Sequence, residues 1–303
     1  MDKKYLNNYI FLLLISIIWG AQFALNKISL ITLTPMMVAT GRTIIGGITL
    51  SIYLWLVNKR TQVKPNIAAY AKSTIILYIL IALCEAVCPL FLIAWGLKHV
   101  SGGIAAVLMG SVPIFTVVIE AIVKRNPINK RFILAIGIGF IGMLILAFPE
   151  ISHGSSSILG VIAILLGSFS FASSLILINL LPPKISAVRH MRNILGYASL
   201  LLIIISMATH EWVPYCSLQS VLALLILGSI CTGLVYVMFI VLIHATSPTF
   251  ASLINYLIPI VGVIIGNLFM HEKITWNEIV SLLCIVIALY QIRLHANHKN
   301  FAK

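Results

Sequence analysis

Acidic residues are almost missing from this chain: seven of its 303 residues are Asp or Glu, and Asp2 is the only aspartate. Charged residues of both signs make up 9% of the chain, against about a quarter in a soluble domain. Hydrophobic residues make up 61%, and the mean hydropathy is +1.10. This composition excludes a domain surrounded by water and favours a chain that lies in a membrane along most of its length.

The motifs of common catalytic and nucleotide-binding sites are also missing. The sequence contains no H-E-x-x-H pair, no convincing Ser/His/Asp set and no G-x-x-x-x-G-K-[ST] loop. Gly137-Ile-Gly-Phe-Ile-Gly142 fits the dinucleotide pattern G-x-G-x-x-G, but no strand precedes it, and its glycines favour close helix packing instead. We therefore expect no enzyme activity, no ATP hydrolysis and no bound cofactor.

Cysteine usage provides no disulfide framework. Only Cys216 lies near a connection, and the other four cysteines lie within apolar runs: Cys84, Cys88, Cys231 and Cys284. Cys84 and Cys88 flank Glu85 at a spacing that would suit a metal ligand pair, but small buried thiols that pack between helices account for them. We expect no metal site.

The apolar residues fall into runs of about 20 residues, the length that crosses a hydrocarbon core. Backbone polar groups in lipid must be satisfied internally, and the alternation typical of barrel strands is absent, so these runs predict helices. The predicted spans are 8–30, 36–57, 74–97, 102–123, 131–148, 158–180, 188–209, 219–243, 248–269 and 276–294. The expected fold is an all-α integral membrane protein with ten transmembrane helices.

Positive charge is concentrated on one side of these spans. Sixteen Lys and Arg residues fall at the N-terminus, in the even-numbered connections and at the C-terminus, against two on the other side, Lys98 and Lys273. By the positive-inside rule, this distribution places both termini in the cytoplasm, as in a multi-pass protein of the cell (inner) membrane. It accounts for the net charge of +13 without nucleic acid as a partner, and attraction to anionic lipid follows from it.

The second half of the sequence repeats the first with sparse identities in a consistent order. The coinciding positions are Pro113 with Pro259 under a shift of 146 residues, and Arg42 with Arg192 and Gly46 with Gly196 under a shift of 150. The units are residues 1–148 and 149–303, with five spans each. Because five is odd, the second unit enters the membrane from the opposite side. We therefore expect two inverted five-helix repeats within one membrane-embedded domain, an arrangement typical of alternating-access transporters.

Two prolines are predicted to interrupt helices at equivalent points of the repeat. Pro113 and Pro259 lie mid-span, where proline removes a backbone donor and kinks a helix. Such kinks are tolerated where the freed carbonyls face protein or a water-filled cavity. We interpret both helices as cavity-lining or hinge helices, with a kink needed only for packing as the alternative.

A set of residues in a fixed order resembles one family of transporters. The residues are Trp19-Gly20, Phe23 and Lys27 in the first span, Pro35 and Arg42 at the second, Ser101 to Pro113 in the fourth, and Tyr256 to Pro259 before His271 to Thr275. This order, with ten spans in two halves, resembles the EamA-type transporters of the drug/metabolite transporter superfamily. The resemblance implies a central cavity and the transport of small metabolites, often the export of amino acids and related compounds.

Glu85, Arg42 and Lys27 are the ionisable residues within predicted spans that could act in transport. Glu85 is near the middle of the third span, where an unpaired carboxylate costs roughly a few kcal/mol. It is interpreted as a contact for a substrate amine or as a proton-coupling carboxylate, with a structural pair to Arg42 or Lys27 as the alternative. Arg42 needs an anion or carbonyl groups, so a substrate carboxylate, gating and a structural pair remain open for it. Lys27, near the outer end of its span, can reach the interface.

Aromatic and amide side chains within the spans are the other groups that could line a cavity. Any one of them is more often packing or part of an interfacial belt. They are Trp19, Gln22, Asn26, Tyr78, Trp95, Tyr197, Tyr236, Asn255 and Tyr256. Glu120 and Lys124, spaced i, i+4, are predicted to form an ion pair on one helix face.

The leading prediction is a secondary transporter that moves a small polar metabolite across the cytoplasmic membrane by alternating access. The substrate is expected to be an amino acid or a related compound, with export favoured over import and with a proton gradient or the substrate gradient as the driving force. Expected partners are the substrate, protons and the lipid bilayer, in a monomer or homodimer. The alternatives are a lipid flippase, a binding subunit that does not transport and, with less support, an intramembrane enzyme.

Overall fold

The computed structural model describes residues 3–61, 72–125, 130–153, 157–210, 215–258, 260–261 and 275–300, and helix is the only regular structure in these ranges. The α-helices are α1 (Lys3–Ser29), α2 (Pro35–Thr61), α3 (Lys72–Ile81), α4 (Cys88–Gly96), α5 (Gly102–Met109), α6 (Val112–Lys124), α7 (Lys130–His153), α8 (Ile158–Ile178), α9 (Ala187–Thr209), α10 (Leu218–Ile226), α11 (Val235–Ala245), α12 (Pro248–Ser252) and α13 (Trp276–Asn300). Two π-helices, π1 (Ala82–Val87) and π2 (Leu227–Leu234), join α3 to α4 and α10 to α11. A short helical stretch at 254–258 follows α12.

The distribution of side chains over this bundle is that of a membrane protein. Within the described ranges, seven helical stretches are long and apolar enough to cross a membrane, and three shorter apolar helices accompany them. Large apolar side chains such as Ile122 and Leu166 are exposed, whereas Arg42 and Glu85 are buried. The expected all-helical membrane fold is therefore confirmed. The ten stretches overlap the ten predicted spans, but the crossing of the membrane by all ten remains a prediction.

Three serines fix the starts of short helices by capping. The hydroxyls of Ser101, Ser217 and Ser247 accept hydrogen bonds from backbone N–H groups three residues further on, at 3.1, 3.2 and 3.1 Å. These bonds satisfy donors that the first turn of a helix leaves free. Ser101 and Ser247 coincide under the shift of 146 residues, so α5 and α12 begin in the same way.

The two π-helices lie at equivalent positions of the sequence repeat. A shift of 146 residues takes Ala82–Val87 onto 228–233, which lies inside π2. π-Helical segments are rare in proteins, and those that occur are often found at functional sites. One of them contains Glu85, and the other contains Cys231, the residue that coincides with Glu85 in the repeat.

The helix that contains Pro113 is broken rather than continuous. Gly110 and Ser111 separate α5 from α6, and Pro113 lies in the first turn of α6, where its missing N–H costs no helical hydrogen bond. Pro259 lies outside the described residues, although the helix that precedes it is interrupted at Leu253.

The contacts between helices are largely preserved when each helix is replaced by its counterpart in the other half. Two pairs join a helix to its own counterpart: α2 with α9, and α7 with α13. The contacts of α1 with α10, π2 and α11 correspond to those of α8 with α3, π1 and α4, and the contact of α2 with π2 corresponds to that of α9 with π1. Two related halves would produce this pattern, while their division at residue 148 and their inverted orientation remain predictions.

The predicted ion pair between Glu120 and Lys124 is confirmed. The Lys124 ammonium contacts one carboxylate oxygen of Glu120, and the hydroxyl of Thr249 donates to the other. Glu120 thus links α6 to α12 as well as bracing its own helix. The pair of Glu120 with Lys124 is the only ion pair among the residues that the structure describes.

Candidate functional site

A small cavity lies in the middle of the bundle, where helices of both halves meet. Its lining residues are Trp19, Gln22, Arg42, Pro89, Leu90, Ile93, Met109, Phe171, Tyr236 and Asn255. Its volume is about 30 Å³, which leaves room for a water molecule or two rather than for a metabolite. The cavity is therefore too small to hold a metabolite in this conformation.

Arg42 provides the positive charge of this cavity. Its side chain is 2% exposed, its Nε donates to the hydroxyl of Thr232 at 3.0 Å, and its Nη2 donates to Oε1 of Gln22 at 3.1 Å. Both acceptors are neutral, and no carboxylate of the described residues pairs with the guanidinium. Three of its five N–H donors are left for a further acceptor. A carboxylate is the group that such a planar fork binds best.

Close packing of α2 against π2 brings Arg42 to Thr232. A Cβ atom on Gly46 would lie 3.0 Å from the carbonyl oxygen of Gly228, and one on Gly228 would lie 2.5 Å from Cβ of Ile45. Only glycine allows two backbones to approach this closely, as in other small-residue helix contacts. The glycines of α2 and π2 therefore hold the cation of the site in place.

Aromatic side chains form the apolar wall of the cavity. The Trp19 ring meets the rings of Phe171, Tyr236 and Phe239 edge to face, with centroids 5.7, 5.6 and 4.9 Å apart. The indole N–H of Trp19 donates to the carbonyl oxygen of Cys231 at 3.0 Å, which fixes the ring against π2. Edge-to-face contacts of this kind stabilise one arrangement of the rings. The cavity thus combines a cation with a preformed aromatic surface.

Glu85 lies beside the cavity but does not line it. Its side chain is 1% exposed, one carboxylate oxygen accepts a hydrogen bond from the hydroxyl of Ser174, and the other, Oε1, has no hydrogen-bond partner. The hydroxyl of Tyr236, which does line the cavity, donates to the backbone carbonyl of Glu85 at 3.5 Å. A carboxylate buried without a cation is costly, so Glu85 needs a proton or a cationic partner.

The structural pair considered for Glu85 is absent from this conformation. Within the described part of the chain, Glu85 forms no ion pair with Arg42 or Lys27. Arg42 is occupied by the neutral groups of Gln22 and Thr232, and Lys27 is exposed near the end of α1. The two buried charges of the bundle interior are thus held separately, each with a hydroxyl partner.

The other predicted residues are divided between the cavity and its surroundings. Asn255 lines the cavity and donates to the carbonyl of Ser252 at 3.0 Å. Five lie elsewhere: Asn26 donates to the carbonyl of Gln22, Trp95 contacts His99, the hydroxyl of Tyr256 donates to the carbonyl of Ile136, and Tyr78 is hydrogen-bonded to His190 and stacks against Tyr197. The structure therefore brings together five of the predicted residues, namely Trp19, Gln22, Arg42, Tyr236 and Asn255.

Several residues of the site were not predicted. Thr232 and Ser174 are the hydroxyl partners of the two buried charges, and Phe171 and Met109 line the cavity. A hydroxyl residue next to the glycines of π2 was a usable signal for Thr232. The apolar residues carried no signal that separates cavity lining from ordinary packing.

A larger opening lies between α2, α3 and α9, and we call it the α2–α9 groove. Its volume is about 690 Å³. Gly47 and Ile48 line it from α2, Tyr78 from α3, and Arg192 and Gly196 from α9. The groove shares no lining residue with the central cavity.

Comparison with known proteins gives a consistent result over nearly the whole chain. A profile of the EamA-like transporter family matches residues 6–148 and again residues 158–294. The uncharacterized transporter YoaV of Bacillus subtilis (strain 168) is 23% identical over 282 residues, which cover 91% of this chain and 93% of YoaV. The uncharacterized inner membrane transporter YedA of Escherichia coli (strain K12) is 26% identical over 281 residues, with 92% and 88% covered.

A solved structure supports the fold independently. One crystal structure of a protein superposes with a TM-score of 0.73, covers 96% of this chain and 98% of its own, and is 13% identical in sequence. At this identity the likeness concerns the fold alone.

Proposed function

This chain belongs to the EamA-like transporter family and is a membrane transporter, and on that premise we propose that it is a secondary transporter of a small carboxylate-bearing metabolite. An amino acid or a related compound is the preferred substrate, and export is the preferred direction. The observation that carries the proposal is Arg42, a buried cation with free donors at a central cavity.

The chemistry of the cavity wall supports this class of substrate. The free donors of Arg42 suit a carboxylate, and the amides of Gln22 and Asn255 suit further polar groups. The rings of Trp19 and Tyr236 suit the apolar part of the same molecule. For an amino acid, Glu85 is the nearby carboxylate that could receive the ammonium group or a proton, because one of its oxygens has no partner.

Unequal packing at equivalent points of the repeat supports alternating access. Gly46 and Gly196 coincide in the repeat, yet a Cβ on Gly46 would lie 3.0 Å from Gly228, while one on Gly196 would have no atom within 4 Å. The packing of α2 against π2 is therefore tight at Gly46, whereas the packing of α9 leaves space at Gly196. Transporters built from inverted repeats change access by exchanging such arrangements between the two halves. We propose that the opposite state closes the gap at Gly196 and opens the contact at Gly46.

The substrate is the first thing to identify. Thermal unfolding of the purified protein with a panel of amino acids and organic acids selects it, because a ligand at 100 times its dissociation constant stabilises by about 2.7 kcal/mol. Transport of the selected compound into proteoliposomes, with and without a proton gradient, then tests the function directly. Scrambling of labelled phospholipid in the same vesicles, without transport of any compound, would instead support a flippase.

Replacement of Arg42 tests the observation that carries the proposal. A charge-assisted hydrogen bond contributes about 1.5–3 kcal/mol, so Arg42→Gln is expected to weaken substrate binding roughly 10- to 100-fold. Lys27→Gln is the matched control, because it removes an exposed positive charge near the end of α1. Isothermal titration and proteoliposome uptake measure both effects. Equal loss in the two variants, or none in Arg42→Gln, would contradict the proposed role.

A further inference from the structure

The α2–α9 groove is open towards the apolar outer surface of the bundle. The side chains along its rim, Ile48, Ile52 and Leu200, are 54%, 53% and 56% exposed. Two glycines, Gly47 and Gly196, lie in its wall, and a Cβ on Gly196 would have no atom within 4 Å. The groove is therefore an apolar channel that the protein's own side chains leave unfilled and that a hydrocarbon chain can enter from the side.

One unneutralised cation lies in this groove. Arg192 donates from Nε and Nη2 to Oδ1 of the neighbouring Asn193, at 3.2 and 2.7 Å. In the part of the chain that the structure describes, no Asp or Glu pairs with it. Its charge is thus uncompensated, and its remaining donors are available to an anion.

Three hydroxyl groups of the groove already have hydrogen-bond partners. The hydroxyls of Ser51 and Ser199 donate to carbonyls of their own helices, those of Gly47 and Leu195, at 2.7 Å each. The hydroxyl of Tyr78 is hydrogen-bonded to Nδ1 of His190 at 2.9 Å. Arg192 is therefore the group in the groove that can select a ligand by charge.

The level of Arg192 along its helix suits a phosphate at the membrane surface. It lies five residues after Ala187, the first residue of α9, or about 8 Å along the helix axis. Lys184 and Arg189 precede it at the same end of the bundle. An arginine at this depth reaches towards the interface with its long stem, and basic pockets between membrane helices bind anionic lipid headgroups.

We propose that the α2–α9 groove binds one anionic phospholipid, with its phosphate on Arg192 and an acyl chain along the apolar wall formed by Ile44, Ile48 and Ile52. The combination of an unneutralised cation with an unfilled apolar channel open to the bilayer points to a molecule that carries both a phosphate and a hydrocarbon chain. This site is separate from the central cavity, and it does not depend on which compound the protein transports.

Titration of the purified full-length protein in detergent with phosphatidylglycerol tests the proposal. Bound lipid is counted by native mass spectrometry, and the thermal unfolding midpoint is followed in parallel. Phosphatidylglycerol is expected to bind one molecule per chain and to raise the midpoint, whereas phosphatidylcholine and inorganic phosphate are not. An equal shift with inorganic phosphate would show an anion site without a lipid, and an equal shift with phosphatidylcholine would remove the role of charge; either result would overturn the proposal.

Two pairs of variants locate the site. Arg192→Gln is expected to bind phosphatidylglycerol about fivefold more weakly, the effect of one basic residue near a membrane surface, while Arg189→Gln, which lies on the same helix outside the groove lining, keeps the wild-type affinity. Gly196→Leu places a side chain into the open groove and is expected to abolish binding. Its control is Gly137→Leu, which also has no atom within 4 Å of its Cβ but lies on α7.

The second pair keeps the proposal testable if Arg192→Gln fails to fold. Retained binding in Gly196→Leu, or equal weakening in Arg192→Gln and Arg189→Gln, would overturn it.

Discussion

At the scale of single residues, the two buried charges of the bundle act independently. Arg42 is held by Gln22 and Thr232, and Glu85 by Ser174, with no ion pair between them. Each charge can therefore meet its own ligand group. In a zwitterionic substrate these groups would be the carboxylate and the ammonium, and in proton coupling Glu85 would receive the proton.

Replacement of Glu85 by glutamine separates its charge from its shape. Glu85→Gln keeps the acceptor for Ser174 but loses the carboxylate, so we expect a severe loss of transport with an unchanged unfolding midpoint. Because Glu85 and Arg42 are not paired, the double variant with Arg42→Gln should show the sum of the two single effects on stability. Proteoliposome uptake and melting curves of the three variants provide the measurement. Rescue in the double variant would mean that the two residues do form a pair in another state.

A polar residue within an apolar run is a candidate for lining a cavity, but the sequence does not predict the direction in which its side chain points. Trp19, Arg42 and Tyr236 were predicted as candidates and line the cavity. Trp95 and Tyr256 have the same chemistry and contact His99 and α7 instead. In a helix that is apolar on all sides, a single polar residue does not fix the rotation about the axis, so the direction of each side chain needs the structure.

At the scale of elements, π1 and π2 organise the site. Carbonyls of both accept side-chain donors: Cys231 from Trp19 at 3.0 Å and Cys84 from Ser170 at 3.1 Å. Apolar periodicity located the helices that contain them, but a π-helix has no composition of its own. π2 lies where a neighbouring backbone approaches closely, at Gly46 and Gly228, and the sequence shows this approach only as isolated glycines.

The repeat-equivalent glycines provide a matched test of the exchange between states. Gly46→Ala would place Cβ 3.0 Å from both the Gly228 oxygen and Cδ1 of Leu195, so we expect a loss of about 1–3 kcal/mol in the free energy of unfolding. Gly196→Ala meets no atom within 4 Å and should be as stable as the wild type, or more stable by roughly 0.5–1 kcal/mol.

Transport measurements test whether Gly196 takes part in the exchange between states. If the opposite state closes α9 against π1, Gly196→Ala should slow transport although it does not lower the midpoint. Chemical denaturation and initial uptake rates measure these two quantities. Wild-type transport by Gly196→Ala would contradict the proposed exchange of contacts.

At the scale of the whole molecule, composition alone predicted an all-helical membrane protein, because the low charge and the long apolar runs leave few alternatives. The profile match and the helical bundle agree with that prediction. The break at Gly110 and Ser111 and the unequal halves could not be predicted, since they depend on how helices pack rather than on how apolar they are.

The orientation in the membrane follows from the distribution of Lys and Arg and can be measured with one native residue. Cys216 is exposed and lies on the side that the positive-inside rule places outside the cell. A membrane-impermeant maleimide applied to intact cells should modify Cys216, and it should not modify a cysteine introduced at Lys59, which is exposed at the opposite end of α2 from Pro35. Modification of the second site alone would reverse the predicted topology.

The position of Trp19 has an optical consequence. Its indole is 3% exposed, is anchored to the carbonyl of Cys231 and forms one wall of a cavity of about 30 Å³. Indole emission shifts to longer wavelength when water reaches the ring. Trp55 and Trp276 are exposed to the surroundings of the bundle, so their emission follows the lipid or detergent around the protein. In a variant that keeps Trp19 as its only tryptophan, the emission wavelength therefore reports each opening of the cavity, through the same ring that would contact the transported molecule.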